Sequence, residues 1–173
     1  MDQYPGRPVN IIALSAGTGI TTWAIQSLPA GYEVNHVVFV GSSLSRDYDL
    51  SPALRRIRGN LWNFYSTNDP ILRYGVPVAG TVDREYAASV AGLYGFSPPT
   101  GADERVVELY RRVLRNMPWR QQYAQYGYRG RHTNSIRRAF VKAVMAPLVQ
   151  RPTSPSAAEP ETAGDRRARG RGR

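Results

Sequence analysis

The chain has 173 residues, a formal net charge of +10, 42% hydrophobic residues and no cysteine. This length suits one domain with a buried core, and the composition is that of a folded globular protein. The absence of cysteine excludes disulfides, thiol catalysis and cysteine-based metal sites. No apolar run approaches the length of a bilayer span and no signal peptide is recognised, so we expect a cytoplasmic protein without a membrane partner.

The last part of the chain differs in composition from the rest. Residues 151–173 are rich in Pro, Ser, Ala and Arg, which predicts a disordered Arg-rich tail after a domain at residues 1–150. The other arginines are scattered along helix-like stretches and form no nucleic-acid-binding motif. The pattern therefore favours a solvated basic surface over a nucleic-acid partner.

The first predicted strand, Val9–Leu14, is apolar and mostly β-branched, as is typical of a strand buried in a parallel sheet. A helix is predicted from Thr18 to Leu28, which leaves Ser15 at the tip of a short turn. Small residues, Ala13 and Gly17, lie two positions before and after this serine. Such a turn suits a nucleophile elbow, in which these two positions pass close together.

Two interpretations of this turn remain open. In a nucleophile elbow, the amide of Ala16 points at a developing oxyanion, at the positive end of the following helix. The alternative is an ordinary strand-to-helix turn in which Ser15 is the N-cap of the helix.

Two more strands are predicted, over His36–Gly41 and Asn60–Ser66, with a short helix over Asp49–Arg58 between them. Alternating strands and helices imply parallel strands with right-handed crossovers, whose ligand site lies beyond the carboxyl ends of the strands. Both Ser15 and Asp69 follow such ends.

The rest of the chain is predicted to contain a region of loop and further helices. A glycine-rich region, residues 72–96, is expected to be mostly loop with a short helix over Asp83–Val90. Asp103–Met117 has an amphipathic helical pattern, although Val113–Trp119 is also compatible with a strand. A last helix is predicted from an apolar face formed by Ile136, Phe140, Val141, Val144, Met145 and Leu148.

The chain has two histidines. His36 precedes its strand, so it lies at the edge opposite Ser15 and is interpreted as structural. His132 lies in a loop just before the last helix, from which it can reach back over the sheet. With Ser15 and Asp69 it forms the set needed for acyl transfer, in which imidazole takes the serine proton and carboxylate orients the imidazole.

These stretches together resemble the α/β-hydrolase superfamily. The resemblance runs from about Val9 to Leu148 and rests on the elbow, the second strand, the Leu61–Asp69 strand and loop, and the His132 loop. It implies an α/β fold, a partial α/β-hydrolase fold with a mostly parallel sheet and flanking helices. The part matched is the C-terminal half of that fold.

The resemblance also implies roles for individual residues. Ser15 is the expected nucleophile, Asp69 the acid and His132 the base, with Asp47 and Asp49 as alternative acids. The implied substrate is a small ester or related acyl compound, and no metal or organic cofactor is implied.

The sequence departs from the family pattern in two places. The elbow reads Ala-x-Ser-x-Gly, with alanine where the family usually has glycine. Met1–Pro8 contain no counterpart of the strands and oxyanion loop that precede the elbow in the family. We therefore expect a serine hydrolase fragment that lacks the N-terminal half, and the alternative is an inactive remnant or an interaction protein.

Overall fold

The structure is a computed structural model that describes residues 7–85 and 89–153. Its centre is a sheet of four parallel strands, which lie side by side in sequence order. The strands are β1 (Ile11–Leu14), β2 (Val37–Val40), β3 (Leu61–Tyr65) and β4 (Leu114–Pro118). This arrangement confirms the expected α/β class with a parallel sheet and flanking helices.

Helices connect and flank these strands. The α-helical segments are α1 (Gly17–Gln26), α2 (Ser51–Leu54), α3 (Val76–Ala79), α4 (Ala91–Tyr94), α5 (Glu104–Val113), α6 (Arg138–Phe140) and α7 (Ala146–Val149). Two π-helical turns, Ile71–Gly75 and Val141–Met145, lead directly into α3 and α7. Two 3₁₀ turns cover Gln121–Tyr126 and His132–Ile136.

The sheet is covered on both faces, and this explains why its strands are apolar on both sides. One face packs against α1, α2 and α5 through side chains such as Phe39 and Leu109. The other face packs against the last helical segment through Val40, Phe64 and Phe140. The ring of Phe140 meets that of Phe64 edge to face, with centroids 5.6 Å apart.

Strand β1 lies at one edge of the sheet. The amides of Ile11 and Ser15 donate to the carbonyls of His36 and Val40, at the two ends of β2. The amides of Ile12 and Leu14, which alternate with them, therefore face away from β2. In the described part of the chain no strand pairs with that side. The edge strand also exposes an apolar side chain, because Ile12 is 44% accessible.

The open question about Val113–Trp119 is answered by strand β4, which follows α5 without a loop. Other predictions were wrong. Of the helix predicted over Asp83–Val90, residues 83–84 form a turn and a bend and residue 85 has no regular structure, whereas residues 86–88 lie outside the described residues. Ile136 is 56% exposed, because the chain makes a 3₁₀ turn there and becomes α-helical only at Arg138.

The predicted tail lies outside the described residues from position 154 onward, and the division at residue 150 stays a prediction. Among the residues that the structure describes, no helix combines the length and the apolar character needed to span a bilayer.

Candidate functional site

Ser15 follows β1 at the carboxyl edge of the sheet and is partly buried. Its φ angle is +56°, a left-handed conformation that side-chain-bearing residues rarely adopt. The Ser15 amide donates to the carbonyl of Val40, 3.0 Å away, which fixes the turn to β2. Backbone strain of this kind costs about 1–3 kcal/mol and concentrates at functional sites.

Asp69 and His132 form a buried pair at the same edge. Asp69 follows β3, and its Oδ2 lies 2.7 Å from His132 Nδ1. A carboxylate can only accept, so Nδ1 carries the proton and Nε2 of the neutral ring has a free lone pair. The Ser135 hydroxyl donates to the carbonyl of His132 across 2.6 Å and holds the loop.

The other carboxylate oxygen of Asp69 has a separate role. Oδ1 accepts hydrogen bonds from the amides of Ile71 and Leu72, at 3.1 and 3.2 Å. Both oxygens of this buried carboxylate are thus held, one by the backbone that follows and one by His132. The carboxylate is therefore fixed in the orientation that faces the imidazole.

Gly41 connects this pair to Ser15. It follows Val40, the partner of Leu14 in the β1–β2 register, so it is the cross-strand neighbour of Ser15. A Cβ at position 41 would lie 3.2 Å from His132 Nδ1 and 3.3 Å from Cε1. The imidazole therefore rests against the residue beside Ser15, and Gly41 itself has a φ of +52°.

A series of hydrogen-bonded hydroxyl groups stabilises the Ser15 turn. Thr18 Oγ1 donates to the Ser15 carbonyl, 2.7 Å away. Its hydrogen is thus committed, so the Ser42 hydroxyl, at 2.8 Å, donates to Thr18 Oγ1. The amide of Leu44 donates in turn to Ser42 Oγ across 3.3 Å. These hydrogen bonds form a hydroxyl relay from the segment after β2 to the backbone of Ser15, in which every group donates toward Ser15.

Among the described residues, the Ser15 hydroxyl and the Ala16 amide take no part in these hydrogen bonds. No hydrogen bond joins the Ser15 hydroxyl to His132 among the described residues, although both residues lie at the same edge of the sheet. Ala16 is the N-cap of α1, and in the described part of the chain its amide donates no hydrogen bond. This leaves the Ala16 amide able to bind an anionic oxygen.

The alternative acids lie elsewhere. Asp49 precedes α2 and accepts a hydrogen bond from the amide of Ser51, and Asp47 is exposed in the same loop. Within the described part of the chain neither forms a hydrogen bond with His132, whose carboxylate partner is Asp69.

His36 lies at the opposite edge, as expected. It accepts from the Asn60 amide at Nδ1 and therefore donates from Nε2 to the carbonyl of Arg151, both at 3.0 Å.

Sequence reasoning missed Gly41, Thr18 and Ser42. For the first two, a signal is present in the sequence. Gly41 comes directly after an apolar strand, where a left-handed turn demands glycine. Thr18 lies three residues after Ser15, the spacing at which a hydroxyl reaches back to a carbonyl.

Comparisons of the chain with protein-family models, curated proteins and solved structures found no match. Within residues 7–85 and 89–153, no three His, Asp or Glu side chains come together in a way that could hold a metal ion.

Proposed function

We propose that the chain is a serine hydrolase of the α/β-hydrolase type, acting on an ester or related acyl substrate as the C-terminal half of that fold. The observation that carries the proposal is the buried Asp69–His132 hydrogen bond, packed against the cross-strand neighbour of Ser15. The left-handed backbone of Ser15 after a parallel strand adds support.

The roles follow from the hydrogen bond by which Asp69 orients the His132 ring. Ser15 Oγ attacks the acyl carbon and its proton passes to His132 Nε2, while Asp69 stabilises the imidazolium. The bond to the leaving alcohol breaks, and that alcohol takes the proton from His132. Water then attacks the acyl-serine, gives a proton to His132 and releases the acid, and the proton returns to Ser15.

The oxyanion of this reaction needs amide donors. Ala16 supplies one, at the N-terminus of α1. Loss of a single oxyanion donor costs about a hundredfold to a thousandfold in turnover. Ala16 is the one donor identified among the described residues, so turnover is expected to be slow. Reaction of Ser15 with a phosphonylating probe is therefore a better test than turnover.

The experiment treats the full chain with a fluorophosphonate and locates the modified residue by mass spectrometry. We expect modification of Ser15, none in Ser15→Ala, and a strong reduction in His132→Gln and Asp69→Asn. Ser27→Ala is the matched control, because Ser27 is an exposed serine at the far end of α1 whose hydroxyl bonds to the Trp23 carbonyl. Modification of several serines at similar rates, or none at Ser15, would favour the inactive remnant or interaction protein.

A further inference from the structure

Gly92, the buried second residue of α4, is hydrogen-bonded to the loops that follow two neighbouring strands. Its amide donates to the Ser42 carbonyl, after β2, across 2.8 Å. Its carbonyl accepts from the Ser66 amide, after β3, across 2.9 Å. The backbone of this one residue therefore joins the two loops at the carboxyl edge of the sheet.

Each of these two hydrogen bonds leads to a member of the proposed catalytic set. The hydroxyl of Ser42 donates to Thr18, which in turn donates to the carbonyl of Ser15. The carbonyl of Ser66 accepts from the amide of Asp69 across 3.2 Å. The proposed nucleophile and the proposed acid are thus connected through the same glycine.

The space around Gly92 admits no side chain. A Cβ there would lie 2.5 Å from the carbonyl oxygen of Ser42 and 2.6 Å from the carbonyl carbon of Gly41, and it would overlap with Cδ1 of Leu72. The φ of this glycine is outside the left-handed range, so glycine is required for space. The imidazole packs against Gly41, and the amide of Leu72 binds the proposed acid. A side chain at this position would therefore displace groups that hold the acid–imidazole pair.

We propose that Gly92 is a positioning residue of the hydrolytic site, which holds the Asp69–His132 pair in place relative to the turn of Ser15. The inference rests on the proposed function, since the role it assigns concerns the reaction of Ser15. In the described part of the chain the Ser15 hydroxyl and His132 share no hydrogen bond, so their approach depends on the relative position of the loops behind them. A misplacement of reacting groups by about 1 Å can slow a reaction about a hundredfold.

The first measurement is the rate at which a fluorophosphonate modifies Ser15 in the full chain and in Gly92→Ala. Ser15 Oγ attacks phosphorus, the bond from phosphorus to fluorine breaks, fluoride leaves and the serine proton passes to His132. We expect the variant to react at least about tenfold more slowly, because its imidazole is displaced from the nucleophile. Intact-mass spectrometry follows the reaction.

The second measurement is the proton NMR signal of His132 Nδ1–H. A short hydrogen bond to a carboxylate moves this signal downfield of the backbone amide signals. The signal is assigned by its loss in His132→Gln. We expect it to shift or disappear in Gly92→Ala, since the added Cβ presses on the residues that hold both partners of the hydrogen bond.

Gly59→Ala is the matched control. A Cβ at Gly59 would overlap with the His36 ring and lie 2.8 Å from the Asn35 carbonyl oxygen, so alanine is crowded here too. Gly59 also has a φ outside the left-handed range, and it precedes β3 at the opposite edge of the sheet. This variant should lose stability but keep the Ser15 rate and the His132 signal. Equal effects of both alanine substitutions would assign them to a general loss of stability and overturn the inference.

A second variant decides the question if circular dichroism shows that Gly92→Ala does not fold. Asn63 is buried in β3 and donates from Nδ2 to the carbonyl of Ala91 across 3.2 Å, so it holds the residue before Gly92. Asn63→Leu removes this hydrogen bond and keeps a side chain of similar size. We expect a several-fold slower reaction of Ser15 and a shifted His132 signal.

The outcomes separate this inference from the proposed function. If Ser15 reacts in the parent chain and the folded variants match the parent rate, the inference is overturned and the proposed function stands. A His132 signal that stays unchanged in the folded variants overturns the inference as well. If Ser15 of the parent chain is not modified, the proposed function is overturned, and the inference with it.

Discussion

The hydroxyl oxygens of Ser42 and Thr18 lie 2.8 Å apart and join the turns that follow β1 and β2. Because Thr18 already donates to the Ser15 carbonyl, this contact couples the backbone of the proposed nucleophile to the second strand. The left-handed turn at Ser15 is thus held by side chains as well as by the β1–β2 ladder.

Replacement of Thr18 by valine should therefore slow the reaction of Ser15. The substitution removes the donor to the Ser15 carbonyl and leaves the Ser42 hydroxyl without its acceptor. We expect a loss of about 1–3 kcal/mol in unfolding free energy and a several-fold slower reaction with a fluorophosphonate. Thr18→Ser keeps the hydroxyl and should restore most of the rate.

Thr22→Val is the matched control for this effect. Thr22 is buried one turn further along α1 and donates to the Thr18 carbonyl at 2.8 Å, without touching Ser15. An equal reduction of the Ser15 rate in Thr18→Val and Thr22→Val would show that general loosening of α1 is responsible. Urea unfolding of both variants provides the stability reference.

Gly41→Ala should displace His132. The new Cβ would press on the imidazole at 3.2 Å, and alanine is strained at the φ of +52°. We expect Ser15 to react at least about tenfold more slowly, because a displaced imidazole no longer accepts the serine proton. Mass spectrometry with a fluorophosphonate measures the rate.

Gly31→Ala separates the two causes. Gly31 has a φ of +84°, and a Cβ added there would meet no atom within 4 Å, so it carries the conformational penalty without the contact. This control should lose about 1–2 kcal/mol of stability and keep the Ser15 rate. If both variants react like the parent chain, His132 does not depend on Gly41 for its position.

The open edge of β1 should make the chain associate. Between Arg7 and Glu33 the sequence contains no charged side chain, so the edge strand and α1 lack the charges that usually protect such edges. Sedimentation velocity at micromolar concentration should show oligomers. Ile12→Lys should reduce them, while Ile136→Lys, at a similarly exposed isoleucine outside this edge, should not.

A chain that sediments as a monomer and unfolds in one cooperative transition would contradict this expectation. Oligomers that persist unchanged in Ile12→Lys would place the association at another surface.

Stability should fall at high pH partly through Tyr110. Its buried hydroxyl accepts from the Leu50 amide at 2.8 Å and donates to the Tyr48 carbonyl at 3.2 Å. Burial is the main cause that raises the pKa of Tyr110 to about 12. Since the folded pKa exceeds the unfolded value of about 10, its contribution is complete below about pH 10 and is lost toward about pH 12.

Urea unfolding at about pH 9 and about pH 11 measures this loss. The parent chain should lose about 1 kcal/mol more than Tyr110→Phe between the two values, because phenylalanine does not ionise. Burial also raises the pKa of Tyr123 and of Tyr128, so the variant keeps part of the pH dependence. Identical losses in both proteins would assign the whole effect to other groups.

The parallel strands were predictable because both faces of the sheet are covered, so that apolar side chains are needed on both sides of a strand. Runs such as Val37–Val40 are apolar at every position, and no other local structure demands this as strongly. Strand β4 was ambiguous for the opposite reason. It is an edge strand with exposed Arg115 and Asn116, so its pattern carries little periodicity.

The helical turns at Ile71–Gly75 and Val76–Ala79 fall in a region that was predicted to be mostly loop, because they are not favoured by their own residues. Gly75 and Pro77 are poor helix formers, and the turns are stabilised instead by the distant packing of Leu72 and by the Asp69 carboxylate. The placement of Asp69 beside His132 was inferred from strand ends and a family resemblance. The hydroxyl relay depends on rotamers that no sequence pattern specifies.

The sequence order of the strands has a consequence for how the chain acquires its site. Each strand pairs with the one synthesised before it, so the sheet can grow from β1 to β4 as the polypeptide leaves the ribosome. His132 comes after β4, on the segment that leads into the helix covering the second face. The hydrogen bond between Asp69 and His132 therefore forms only when that last layer docks, and a chain arrested before this step would hold Ser15 without the proposed base.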